Sequence, residues 1–198
     1  RGLRDAGVDR LSIGVQSFFE ADLRWMNRSH TALQAEAVIE RVQQVGFPSF
    51  SVDLIFGLPE QPEEYWYANV QKAVRLGAPH LSTYGLTVEE KTPLGKRVAR
   101  GLTTPTPDEA MADLYRFTME YLRQEGFEHY EISSFARPGQ RAVHNALYWT
   151  HASYIGIGPS AHSFWWGPPE RGAYRWHNVA HLGRYQGLVQ NGQRPVEE

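Results

Sequence analysis

Gly14-Val15-Gln16-Ser17 and Asp53-Leu54-Ile55-Phe56-Gly57-Leu58-Pro59, two apolar runs that end in polar or turn residues, are separated by one amphipathic helical pattern. A buried strand, a covering helix and a second buried strand read as a βαβ unit of a parallel barrel or sheet. In such units the polar groups at the carboxyl ends of the strands converge on one face, where ligands bind. Gln16 and Asp53 are therefore expected to face the same molecule. The alternative is that both satisfy local backbone donors at turns.

Outward from this pair, Ala32, Ala35, Ile39, Val42 and Val45 recur at helical spacing and Gly46 ends the run, which predicts a helix between strands at residues 11–15 and 50–55. Pro62 stands at a first helical position with Glu63 and Glu64 in the first turn, and Trp66, Val70, Ala73 and Val74 give that helix one apolar face up to Gly77. A third strand is expected at residues 81–88. Turn-rich segments at residues 91–95 and 103–107 then interrupt the pattern. This places a boundary between residues 1–90, the barrel part, and 91–198, a helical linker and the start of a further domain. Thr106 and Glu109 form a capping-box pattern around Pro107, opening a helix that ends near Gly126. A strand at residues 130–135, an aromatic segment around Trp149, a glycine-rich stretch at residues 154–163 and a helical stretch at residues 179–189 complete the reading.

With 41% hydrophobic residues, the 198-residue chain has enough apolar surface for a sizeable core, and its net charge of -2 offers no electrostatic reason for a nucleic-acid partner. No stretch approaches the roughly 18 uninterrupted apolar residues of a spanning helix and no signal-peptide pattern opens the chain, so no integral membrane segment and a cytoplasmic location are expected. Cysteine is absent, which excludes disulfides and any thiolate metal site within this chain. Leu3-Arg4-Asp5-Ala6-Gly7 reads as the last turn of a helix whose strand is missing, and Glu197-Glu198 ends abruptly. A fragment with exposed sheet edges and poor solubility on its own is expected.

Ile13-Gly14-Val15-Gln16-Ser17, Asn27-Arg28-Ser29-His30, Asp53-Leu54-Ile55-Phe56-Gly57-Leu58-Pro59-Glu60-Gln61, Tyr84-Gly85-Leu86-Thr87 and Gly156-Ile157-Gly158-Pro159-Ser160-Ala161 follow one another in a telling order and spacing. In this the chain resembles, over nearly its whole length, the radical S-adenosylmethionine proteins related to oxygen-independent coproporphyrinogen III oxidase. Within that family, His144-Asn145-Ala146-Leu147-Tyr148-Trp149 and the Tyr84-Gly85-Leu86-Thr87 strand end resemble the HemW-type heme chaperones. The resemblance implies an α/β fold, the C-terminal half of a partial (β/α)6 barrel followed by part of an α+β C-terminal region. It also implies a 4Fe-4S cluster, held by a CxxxCxxC loop that would lie upstream of Arg1, with S-adenosylmethionine on the open iron. One electron from the cluster would split that cofactor into methionine and a 5′-deoxyadenosyl radical.

By the same resemblance, Gln16 and Asp53 lie near the ribose and amino acid parts of S-adenosylmethionine, Arg28 pairs with its carboxylate, and Thr87 closes the adenine side. The chemistry suits these roles: an amide donates and accepts, a carboxylate accepts from hydroxyls or an ammonium, and a guanidinium fork matches a carboxylate. For Arg28 the alternative is a surface ion pair with Glu20 or Asp22. His144 is the candidate heme ligand, with Asn145, Tyr148 and Trp149 around it; the alternative is a hydrogen-bonded structural histidine. Trp165, Trp166, Tyr174 and Trp176 read either as a porphyrin-facing surface or as core packing.

The function implied is binding of heme and its delivery to respiratory proteins. Radical decarboxylation of porphyrinogen propionates is the alternative, in which the same cofactors drive an oxidoreductase. No catalytic residue is assigned in this chain under either reading. An aldolase-like barrel for a phosphorylated metabolite is a third possibility, but no phosphate-cradling glycine loop precedes a helix here.

Overall fold

The computed structural model describes residues 2–197, so Arg1 and Glu198, where the fragment reading places the cuts, lie outside the described residues. The chain divides into two compact units, the first ending at Arg141 and the second beginning at Ala142. In the first unit, α1 (Gly2–Asp5) leads into β1 (Arg10–Gln16), and α2 (Glu20–Trp25) and α3 (Ala32–Val45) follow. Then come β2 (Ser49–Phe56), α4 (Glu63–Arg75), β3 (His80–Gly85), α5 (Pro93–Ala99), α6 (Asp108–Gln124) and a hairpin of β4 (Glu128–Glu131) and β5 (Ser134–Ala136). The sheet order is β1-β2-β3-β5-β4, with the first three strands parallel and the hairpin added antiparallel to β3.

Alternation along β2 explains how this sheet is covered. Phe50, Val52, Leu54 and Phe56 are buried in one cluster with Ile39 and Val42 of α3 and Trp66, Val70 and Ala73 of α4. Successive side chains of a strand point to opposite faces, so Ser51, Asp53 and Ile55 face away from the helices. The neighbouring strands place Ser12 and Gly14 beside Ser51 and Asp53 on one side, and His80 and Ser82 on the other. One face of the sheet is thus apolar under helices, and the other carries a row of polar groups. Local signals fix the crossover helices: Thr31 and Gln34 form a reciprocal capping box on α3, and Gly46 ends it with φ +78°.

The structure departs from the sequence reading at several elements. β3 stops at Gly85 rather than continuing to Val88, and the bond from Leu86 N–H to the Phe56 carbonyl is the last of the β2–β3 ladder. Residues 130–135 are not one strand but span the β4–β5 turn, Pro62 is the cap of α4 rather than its first residue, and the segment after Lys91 forms α5, capped by the Thr92 hydroxyl. Thr106 does not cap α6; its hydroxyl donates to the Gly57 and Leu58 carbonyls, and Pro107 holds the cap position without a side-chain bond. Since α6 packs on α4 and the β4–β5 hairpin extends the sheet, the composition shift at 90/91 is not where the compact units divide.

The second unit holds α7 (Val143–Trp149), β6 (His162–Trp166), β7 (Ala173–Asn178), α8 (Leu182–Gln190) and β8 (Val196–Glu197), with an antiparallel sheet in the order β6-β7-β8. The glycine-rich stretch before β6 is pinned by the Asn178 amide, which donates to the Gly156 and Gly158 carbonyls. Trp165, Trp166 and Tyr174 are exposed, so core packing does not account for them, while Trp176 is half-buried. Among the described residues, no helix is long and apolar enough to cross a membrane.

Candidate functional site

Gln16 closes β1 with φ +67°, a left-handed conformation that costs a residue with a Cβ about 1 kcal/mol or more. The register between β1 and β2 shifts at this point. A Cβ on Gly14 would lie 2.7 Å from Gln16 Nε2, so the glutamine amide folds back over Gly14, the residue in register with Asp53. The Gln16 amide therefore lies on the sheet face that carries Asp53, and Asp53 itself lies inside β2 rather than at its end. Asp53 serves no turn: Ser12 donates to Oδ2 at 2.6 Å and Ser51 to Oδ1 at 2.9 Å.

Beyond Gln16 the loop is locked from below. The buried Ser17 hydroxyl donates to Asp22 at 2.6 Å, Asn69 Oδ1 accepts from Phe18 N–H at 2.7 Å, and the Gln61 amide donates to Asp22 at 2.6 Å. His30 Nε2 meets the Val15 carbonyl at 3.0 Å, and Glu20 accepts from Ala32 N–H at 2.7 Å. Glu20 and Asp22 are thereby engaged, and among the described residues Arg28 forms an ion pair with neither, contrary to the surface-pair alternative. Arg28 lies past the end of α2 rather than in a helical turn, and its exposed side chain lines a cleft of about 560 Å³. Trp25, Met26 and Leu86 line the same cleft, with Ile55, which shares the polar face of β2 with Asp53, and Arg97. Thr87 is exposed and outside that lining, its neighbour Leu86 standing in its place.

His80 and Asn69 were not singled out by sequence reasoning, and His30 entered it only as the last residue of the Asn27-Arg28-Ser29-His30 motif. His80 is 1% exposed and bonded on both ring nitrogens, to Ser51 Oγ at 2.9 Å and Tyr130 Oη at 2.8 Å. Burial, with the Arg10 charge as a lesser cause, lowers its pKa to about 3, so the ring is neutral at physiological pH. The alternation Ser51, Asp53 and His80, Ser82 along two neighbouring strands was the available signal, since a purely structural parallel strand is apolar on both faces.

In the second unit, His144 is exposed on α7, a helix with no buried residue. Its Nε2 lies 3.0 Å from Tyr148 Oη with the rings edge to face, and Tyr148 in turn meets Tyr154 edge-on. Helical spacing puts His144 and Tyr148 on one side and turns Trp149 away by about 100°. Asn145 is half-buried and Trp149 exposed. Among the described residues there is no group of three or more acidic or histidine side chains placed to hold a metal ion.

Residues 1–73 match the radical SAM superfamily. With the parallel strands and their polar face, this match defines the class of the matched part: residues 1–73 correspond to part of a radical SAM domain. Over more of its length, the chain is similar to the heme chaperone HemW of Escherichia coli K12, with 37% identity over 97% of this chain and 50% of that protein. It is likewise similar to the heme chaperone HemW of Bacillus subtilis 168, at 37% identity over 94% of this chain and 48% of that one. A mouse relative named radical S-adenosyl methionine domain-containing protein 1, mitochondrial, is 42% identical over 79% of this chain and 36% of its own. The chain thus spans about half the length of these relatives or less. The solved structure of coproporphyrinogen III oxidase (HemN) from Escherichia coli, described as a radical SAM enzyme, aligns over 98% of this chain and 46% of its own with a TM-score of 0.75 at 22% identity. The fold is therefore that of part of a radical SAM barrel with an α+β region after it, as the sequence led us to expect.

Proposed function

We propose that this chain is part of a HemW-like heme chaperone that binds heme and passes it to a respiratory acceptor protein in the cytoplasm. The observation that carries this reading is the exposed His144–Tyr148 pair on α7, in a chain similar along most of its length to proteins named heme chaperones. A structural histidine is tied to the core; His144 is bonded to a residue of its own exposed helix and leaves an imidazole and a phenol available at the surface. Asn145 and Trp149 flank the pair in this reading and complete the heme-binding segment.

S-adenosylmethionine fits the first unit. Arg28 presents a free fork on the cleft wall to a carboxylate, and Gln16 and Asp53 offer an amide and acceptor oxygens to ribose hydroxyls or an ammonium. Thr87 would contribute through its backbone at the cleft margin. The 4Fe-4S cluster, which supplies reductive cleavage of the bound cofactor, would depend on thiolates outside this cysteine-free sequence. The residues here bind, orient and exclude water.

The test is an anaerobic heme titration followed by the Soret band, on the full-length protein and its His144→Ala variant. Saturable binding weakened about tenfold or more by the substitution is expected. Equal binding by both removes His144 from the site, and protoporphyrinogen formed from coproporphyrinogen by the same preparation overturns the chaperone reading in favour of an oxidoreductase.

A further inference from the structure

We propose that Tyr130, His80 and Ser51 form a directed hydrogen-bond relay across the sheet that fixes the Asp53 carboxylate, making His80 a positioning residue for the ligand that Asp53 contacts. The role given to Asp53 rests on the cofactor reading above; the relay itself rests on geometry.

The carboxylate sets the direction of every bond. A carboxylate only accepts, so Ser51 Oγ, 2.9 Å from Oδ1, directs its single proton there. Ser51 Oγ is then an acceptor towards His80 Nδ1 at 2.9 Å, and Nδ1 must carry the ring proton. In a neutral imidazole the other nitrogen is bare, so His80 Nε2 accepts from the Tyr130 hydroxyl at 2.8 Å. Protons thus run from Tyr130 through His80 and Ser51 to Asp53 Oδ1, while Ser12 donates to Oδ2 from the other side. Each carboxylate oxygen keeps a further lone pair for a ligand donor.

The backbone is built to bring Tyr130 into this line. Its neighbours His129 and Glu131 pair with Phe135 and Ser134, leaving Tyr130 as the extra residue of a bulge. Bulges re-aim a side chain out of the ladder and recur beside functional sites. On the intervening strand β5, Ala136 stands opposite His80, so a small side chain lies where the phenol crosses from β4 to β3. The half-buried Arg10 guanidinium adds positive charge beside His80, which disfavours an imidazolium that would reverse the Tyr130 bond.

The tautomer is the direct readout. In the full-length protein labelled with 15N-histidine, long-range 15N–1H spectra are expected to show one neutral ring protonated at Nδ1 at pH 7, lost in His80→Asn. An Nε2–H tautomer or a charged ring for that signal overturns the relay. The functional readout is S-adenosylmethionine affinity. Tyr130→Phe is expected to weaken binding about threefold to tenfold in the native background and to have no effect in an Asp53→Asn background, whereas a merely structural tyrosine would weaken both alike and overturn the positioning role. His80→Asn, whose amide can replace the Nδ1 donor, should bind more tightly than His80→Leu; equal loss in the two counts against the relay. If Asp53→Asn itself leaves affinity unchanged, the cofactor reading fails, and the tautomer result still decides whether the relay exists.

Discussion

The indole N–H of Trp66 on α4 donates to the Thr118 hydroxyl on α6 at 2.9 Å, and both residues are 0% exposed. Thr118 also donates to the Leu114 carbonyl within its own helix, so the hydroxyl is used as donor and acceptor at once. This bond joins the helix covering the parallel strands to the helix that precedes the β4–β5 hairpin. Thr118→Val keeps the shape but leaves the indole N–H buried without a partner, which costs about 1–3 kcal/mol. The denaturation midpoint of the full-length protein should fall accordingly with an unchanged slope. Thr118→Ser, which retains the hydroxyl, should lose less.

Gly57 follows β2 with φ +76°, and a Cβ there would overlap Met111 Sδ on α6. Two separate penalties meet at this position, one from the backbone conformation and one from contact. Gly57→Ala should therefore destabilise by more than the ~1 kcal/mol of a strained conformation alone. Combining it with Met111→Ala should recover part of the loss, and a double-mutant cycle by chemical denaturation reads that part. Full additivity would mean that the thioether moves aside without cost.

The helices and parallel strands were legible because their signals are local. The spacing of Ala35, Ile39 and Val42, with a stop at Gly46, states the α3 face directly, and the run from Phe50 to Phe56 states β2. Thr106 shows how a local signal fails: its capping-box neighbours are correct, but the Gly57 and Leu58 carbonyls, far back in the chain, claim its hydroxyl. His80 was hidden for the same reason. Its partners Ser51 and Tyr130 are 29 and 50 residues away, and Tyr130 reaches it through a bulge that no spacing rule announces. That Gln16 and Asp53 stand on neighbouring strands was legible because βαβ topology itself places β1 beside β2.

The depressed His80 pKa makes stability pH-dependent in a stated direction. The folded ring stays neutral down to about pH 3, whereas the unfolded chain takes up the proton near the ordinary value of 6.5. Its contribution is therefore fully present above about pH 6.5 and is lost as pH falls towards 3, by up to about 1.4 kcal/mol per pH unit from this group alone. Denaturation curves of the full-length protein between pH 7 and pH 4 should show this decline, and His80→Asn should flatten it while lowering stability at pH 7. An unchanged slope in the variant would mean that other groups control acid unfolding.

Arg28 makes the sharpest test of the cofactor reading because its pairing alternatives within the chain are already taken. Asp22 is held by Ser17 and Gln61, and Glu20 by Ala32 N–H, so the exposed guanidinium is not required to balance either carboxylate. Arg28→Ala should leave stability within about 0.5 kcal/mol, as expected of an exposed side chain that makes no ion pair among the described residues. The same substitution should weaken S-adenosylmethionine binding by about tenfold or more, since a charge-assisted fork is lost. Arg28→Lys should recover only part of that affinity, because an ammonium keeps the charge but not the two parallel donors. Calorimetric titration of the full-length protein measures the two affinities, and chemical denaturation measures the stability. S-adenosylhomocysteine, which keeps the carboxylate but lacks the sulfonium charge, should show the same ranking, which ties the loss to the carboxylate rather than to the sulfur.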